Sequence, residues 1–198
     1  MKSIKFKKAM QRILKILICL SVLFCITAAL SVNANANSRE YAVFTQGNIT
    51  TQDMRKKSDI DANKLAEYMK RFPNLSGIEK TLIEVQEEYS VNALLLLAII
   101  RLESGNGRSV IAQNRNNLGG IIGWEKSVRV FKTFDTKNDC IIYMAKLLSE
   151  HYLTDGGRFF SGYSLRAISK RYSASPDNWT ELVAALILEI QWVLENRY

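Results

Sequence analysis

The chain has 198 residues, 47% of them hydrophobic, and only two prolines; that is enough for one domain with a real core and too little for two. Its net charge of +8 points to an anionic partner until the charges are located. Lys2, Lys5, Lys7, Lys8, Arg12 and Lys15 stand in residues 1–36, which carry no acid, so 21 basic residues face 19 acidic ones in the remainder, and nucleic acid is not expected as a partner.

The basic stretch at the start is followed by an apolar run over 16–30 and by Ala34-Asn35-Ala36, the small-residue pattern of a secretory leader. The alternative is an uncleaved anchor, because Ile13 and Leu14 lengthen the apolar run and residues 13–30 would then tether the chain to a membrane. Both readings predict export. Cys19 and Cys25 belong to the leader, which leaves Cys140 alone and predicts a domain without an internal disulfide.

Residues 37–58 are polar and lack an apolar period, so they read as a linker, with the folded domain expected over 59–198. Leu65, Met69 and Phe72 follow helical spacing and Pro73 stops the run; Ile78, Leu82, Val85 and Tyr89 mark a second helix with Ser76 as its cap. A third helix starts at Asn92 as N-cap and is apolar on nearly every side, the signature of a central helix packed all round. Two short β-rich runs, 121–124 and 128–131, then form a hairpin around "EKS". Thr136 and Asp139 have capping-box spacing and open an amphipathic helix through Ile141, Met144, Leu148 and Tyr152. A short helix over 164–171 and a long one over 177–196 complete the chain. The expected fold class is mainly α (α+β), a helical domain with a small β-hairpin lobe after the central helix.

The central helix ends in one acid, Glu103, which by spacing shares a face with Leu96, Ile99 and Ile100. Partial burial and the negative end of the helix dipole would both disfavour its charged form, which suits a group that protonates a leaving oxygen. The alternative is a structural acid paired with Arg101, Arg108 or Arg115. Glycines 105 and 107 directly follow and let the backbone turn sharply beside a ligand.

The stretch "LLLLAIIRLESGNGRSVIAQNRNNLGGI" resembles the signature of the bacterial endo-β-N-acetylglucosaminidases, glycoside hydrolase family 73. There a helix ends in a catalytic Glu followed by Ser-Gly-x-Gly-x-Ser and Asn-Asn-Leu-x-Gly-Ile. Glu103, Ser104, Gly105, Gly107, Ser109, Asn116, Asn117, Leu118, Gly120 and Ile121 fall on that pattern. The segments "NLSGIEKTLIEVQEEYSVN", "VFKTFDTKNDCIIYMAKLL" and "AISKRYSASPDNWTELVAALILEI" extend the similarity over roughly residues 60 to 192. The resemblance implies a lysozyme-like fold and, as substrate, the glycan strand of peptidoglycan, cut at the β-1,4 bond after N-acetylglucosamine. With the leader, the protein is expected to be secreted or associated with the cell wall, and it is expected to be a monomer.

By the same resemblance Glu103 is the catalytic acid and Tyr172 a phenol beside the cleft, the alternative for Tyr172 being a half-buried helix-end aromatic. A second carboxylate should stand across the cleft. Among Glu125, Asp135 and Asp139, the last reads as a helix cap and Asp135 as the turn before it, leaving Glu125 in the hairpin, or else a solvated turn residue there. The candidate substrate contacts are Ser109, Asn117, Trp124 and Tyr163, with Trp124 and Tyr163 stacking on sugar faces. Against this, an Asn-rich turn at 116–117 also serves to shape backbone. Trp179 and Trp192 fit the core of the final helix. No metal or cofactor motif is present in the sequence, so none is expected. Two other functions share these features: an N-acetylmuramidase or lytic transglycosylase acting on the same glycan, and a non-catalytic wall-binding scaffold.

Overall fold

The computed structural model describes residues 43–198. The leader or anchor expected over 1–36, including any tether at 13–30, lies outside the described residues. The elements are α1 (Ala62–Met69), a 3-10 turn (Pro73–Leu75), α2 (Glu79–Tyr89), α3 (Ala93–Ser104), α4 (Val110–Arg115), β1 (Ile122–Glu125), β2 (Val128–Phe131), α5 (Lys137–Tyr152), α6 (Leu165–Tyr172) and α7 (Pro176–Asn196). This is the helical architecture with one hairpin after the central helix that the sequence implies.

Helix α3 is central because nothing on its first eight positions tolerates water: Ala93 to Ile100 are all buried, and α2, α5 and α7 pack around it. Each Leu or Ile so enclosed contributes about 1.5–3 kcal/mol, against about 1 kcal/mol for a helix cap. Packing therefore decides that the segment is helical, and capping decides where it starts. Asn92 is that cap, its Oδ1 accepting from the amides of Leu94 at 3.0 Å and Leu95 at 3.1 Å.

The expected linker over 37–58 is corrected by its own contacts. From residue 43 on it belongs to the packed unit, with Phe44, Ile49 and Met54 buried in the core. The Ser58 hydroxyl donates to Asn92 Oδ1 at 2.9 Å, Asn92 Nδ2 donates to the Lys56 carbonyl at 2.7 Å, and the Asn92 amide donates to the Met54 carbonyl at 2.9 Å. Gln86 Oε1 accepts from the amides of both Ser58 and Ala93, at 2.8 and 2.9 Å. At the other end of the segment Phe44 exchanges two hydrogen bonds with the side chain of Gln191 on α7. These partners are distant in sequence, so no local period announces them.

Three boundaries also differ from expectation. Ser76 does not cap α2: Gly77 at φ +89° intervenes, and the helix begins after Ile78 without a side-chain cap. The hairpin turn is two residues rather than three, with Lys126 and Ser127 at φ 46° and 69°, the doubly left-handed geometry that suits antiparallel strands. Helix α4 was not anticipated; six residues are too few to show a period. The expected capping box at Thr136 and Asp139 is formed in both directions, at 2.9 and 3.1 Å.

On the flank of α3 turned toward α1, Arg101 and Tyr68 both donate to Glu189 Oε2, while Arg71 reaches Oε1 at 3.1 Å. Burial alone would raise the Glu189 carboxyl, but the donors and the charges of Arg101 and Arg71 outweigh it and hold it below its ordinary value. A proton is thus bound less tightly in the folded state. The stabilisation is complete above the unfolded-state carboxylate range and is lost as pH falls through the lower folded-state value.

Two outcomes follow for stability. Asn92→Ala should lower the unfolding free energy by about 1–2 kcal/mol in a urea titration. Glu189→Gln should flatten the acid limb of Tm against pH relative to the native protein; identical acid limbs would show that Glu189 is not the titrating group.

Candidate active site

The last turn of α3 carries the site out of the core. Gly105 adopts φ 58° as its C-cap, and the Gly105 and Asn106 amides fold back onto the Leu102 and Arg101 carbonyls, a closure that favours glycine. Ser104 is buried, donating to the Ile100 carbonyl and accepting from the Gly107 amide at 2.7 Å. Gly107 is required on two counts: its φ is 76°, and a Cβ there would lie 2.8 Å from Leu75 Cδ2 and 2.9 Å from the Asn74 carbonyl. The glycines expected to let the backbone pass a ligand thus first let it pass the 3-10 turn.

Glu103 is exposed, which corrects the expectation of partial burial. Its face of the helix is apolar below it, but the buried run stops at Ile100 and the final turn stands clear. Nor is it the structural acid of the alternative reading. Arg101 pairs with Glu189, Arg108 donates to the Gly105 carbonyl at 3.1 Å, and Arg115 donates to the Phe131 carbonyl at 2.8 Å. Among the described residues the carboxylate has one hydrogen-bond partner, the indole of Trp179, with Nε1 donating to Oε1 at 3.0 Å.

Trp179 lies in the first turns of α7 and is only 6% exposed. Its ring packs on Tyr172, the last residue of α6, at 4.9 Å between centroids, and Tyr172 packs on Tyr152 at 5.6 Å. Tyr172 is half-buried, and among the described residues its hydroxyl makes no hydrogen bond. Burial first, and the nearby Glu103 charge second, push its phenol well above the ordinary tyrosine value, so it remains a neutral donor. The structure therefore brings together Glu103, Tyr172 and Trp179. Sequence reading assigned Trp179 to the core; the signal that it does more is a buried indole, whose N–H needs a partner.

The hairpin carries Trp124 and Glu125. Trp124 is 71% exposed and sits opposite Arg129; Glu125 is exposed, sits opposite Val128 and has no hydrogen bond or ion pair among the described residues. Adjacent residues of a strand project to opposite faces. Trp124 thus shares a face with Ile122 and Phe131, and Glu125 shares the other with Val128 and Val130.

The remaining candidates are elsewhere engaged. Ser109 is the N-cap of α4, accepting from the Ala112 amide at 3.2 Å. Asn117 is corrected as a substrate contact: it is 1% exposed, and it clamps the hairpin by donating to the Ile121 and Lys132 carbonyls at 2.8 and 2.9 Å while accepting from the Ile121 amide at 2.8 Å. Asn116, at φ 50°, donates to the Phe134 and Asp135 carbonyls. Tyr163 belongs to the opposite end of α3. Its carbonyl accepts from Met54, whose own carbonyl accepts from Asn92, about 17 Å along the helix axis from Glu103. There it lines a cavity of about 470 Å³ with Ser90, Thr154 and Asp155, its hydroxyl donates to Asp155 at 2.8 Å, and the Arg55 guanidinium lies 3.4 Å above its ring.

Residues 79–191 match the Glucosaminidase family, described as mannosyl-glycoprotein endo-beta-N-acetylglucosaminidase, and the chain belongs to that family of glycoside hydrolases. A protein of Streptococcus pneumoniae named as an endo-beta-N-acetylglucosaminidase is 34% identical over 137 residues, 65% of this chain and 20% of that protein; the chain thus spans about a fifth of that relative. Staphylococcus aureus Autolysin E shares the fold at 19% identity and TM-score 0.55, over 77% of this chain and 75% of the other. A catalytic mutant of Autolysin E in complex with the disaccharide NAG-NAM aligns at 18% identity and TM-score 0.61, over 84% and 81%. The fold is thus lysozyme-like, as the Glu103 motif implies.

Asn117→Ala should strand the Ile121 amide and remove a donor from the Ile121 and Lys132 carbonyls, of which the former keeps the Lys132 amide, and lower stability by about 1–3 kcal/mol, with hydrogen exchange faster at 121–132 than in α3. Uniform acceleration across both regions would show that the clamp is not local to the hairpin.

Proposed function

We propose that this chain is an exported peptidoglycan hydrolase that cuts the β-1,4 bond after N-acetylglucosamine, with Glu103 as the general acid. The observation that carries this is a solvent-facing carboxylate at the end of the central helix that, among the described residues, is paired with no cation and lies beside a neutral phenol without a hydrogen-bond partner. Family membership and a shared fold with an autolysin that was crystallised with NAG-NAM support the substrate class. The basic, apolar and small-residue leader supports export.

In this reading Glu103 gives its proton to the bridging oxygen as the C1–O bond breaks. Positive charge develops on the sugar, and water adds to C1 while a base takes the water's proton. Tyr172 donates to an oxygen of the reacting sugar or orients the water. Glu125 is the carboxylate available to act as that base, on the hairpin face opposite Trp124, and Trp124 offers an exposed ring for stacking on a neighbouring sugar. If Glu125 takes no part, the substrate's own acetamido group serves at C1; or the alternate bond is cut, the muramyl 6-hydroxyl attacking its own C1 to close an anhydro ring while the Glu103 carboxylate, having protonated the leaving oxygen, takes the hydroxyl proton, as in a lytic transglycosylase.

Digestion of purified peptidoglycan, borohydride reduction and mass spectrometry test these routes together. Reduced glucosamine ends are expected; reduced muramic acid ends or anhydromuramic products would replace the bond or the route. Glu103→Gln should lose about 10²–10⁴-fold in rate, and retention of native activity would remove Glu103 from the mechanism. Absence of any product from native protein on walls it binds would favour a scaffold.

A further inference from the structure

We propose that Trp179 is a positioning residue for this reaction, whose indole N–H fixes the orientation of Glu103 and confines the transferable proton to Oε2. The inference rests on the assignment of Glu103 as the acid.

An exposed glutamate on a final helical turn has several rotamers of similar energy, and only some would direct its carboxyl at a bound glycan. Among the described residues one group limits that choice, the Trp179 N–H at 3.0 Å from Oε1. The restraint runs from Trp179 to Glu103 because the two are unequally held. Trp179 is buried, its ring is stacked on Tyr172, and its amide donates to the Ser175 carbonyl at 3.0 Å. Glu103 is exposed, and among the described residues this is its one hydrogen bond.

The chemistry of the donor matters as much as its place. An indole nitrogen donates and cannot accept, and it does not exchange roles with pH as a hydroxyl or imidazole can. Its hydrogen directed at Oε1 keeps that oxygen as the carbonyl-type acceptor of the protonated acid. The acidic hydrogen is then carried on Oε2, the oxygen left free to meet a glycosidic bridge. The exposed indoles Trp124 and Trp192 have no hydrogen-bond partner among the described residues and provide internal references.

Trp179→Phe keeps an aromatic ring against Tyr172 and removes the donor. Because misplacement of a catalytic group by about 1 Å can cost about 10²-fold, kcat is expected to fall about 10- to 100-fold with KM within about threefold, the pattern of an interaction used in the transition state. Native kcat in a folded Trp179→Phe protein, with Glu103→Gln inactive, would overturn the positioning role and leave the acid assignment intact. Native kcat in Glu103→Gln would overturn the assignment itself. If Trp179→Phe does not fold, site-specific β-(3-benzothienyl)alanine, which replaces the N–H with sulfur in the same bicyclic outline, gives the same readout. Independently of activity, the ¹⁵N-indole resonance of Trp179 should move in Glu103→Ala while those of Trp124 and Trp192 stay; no movement would overturn the hydrogen bond in solution.

Discussion

A helix enclosed by other helices still has two ends, and each leaves backbone groups without partners inside the helix. In α3 the two ends solve that problem differently. The Ala93 end is covered, so its amides are met by Asn92, Ser58 and Gln86, drawn from three parts of the chain. The Ser104 end opens to solvent and closes on itself through Gly105 and Asn106. The first amides of the covered end are already committed to the fold. The open end can present a carboxylate to a substrate. The proposed location of the chemistry follows from this asymmetry, with α6 and α7 supplying the aromatic residues Tyr172 and Trp179 beside Glu103.

What was legible in the sequence was whatever local spacing encodes. Asn92 before an apolar run and Thr136 three residues before Asp139 are caps that need no tertiary information, and both are formed. Hydrophobic period located Glu103 at the end of the central helix but gave it the wrong environment. A period identifies which face is apolar and says nothing of how far the core extends along it. Asn117 reads as a substrate contact because it stands beside Asn116 in a polar turn, yet both of its amide atoms are spent on the hairpin backbone. Tyr163 follows Glu103 by sixty residues, and only the pairing of Met54 with it shows that it belongs to the far end of α3. Trp179 was mistaken in the opposite sense: its burial was legible, the direction of its N–H was not.

The hairpin imposes a further constraint on the proposed cleft. Trp124 and Glu125 are neighbours in β1, so a two-stranded ribbon sends them to opposite sides. A glycan lying flat against Trp124 therefore has Glu125 behind the strand, and one that meets Glu125 has the indole behind it. Sugar stacking and base catalysis at this lobe are in geometric competition unless the ribbon twists on binding.

The segment from Phe44 to Ser58 sets a limit on reach. Had those residues been slack, the 16 positions from 43 to 58 would have let the cleft roam up to about 55 Å farther from any point of attachment upstream. Stitched to α7 at Phe44 and to the Asn92 cap at Met54 and Ser58, they contribute none of that distance. Residues 43–58 thus add nothing to the distance at which the packed unit can work from whatever holds it.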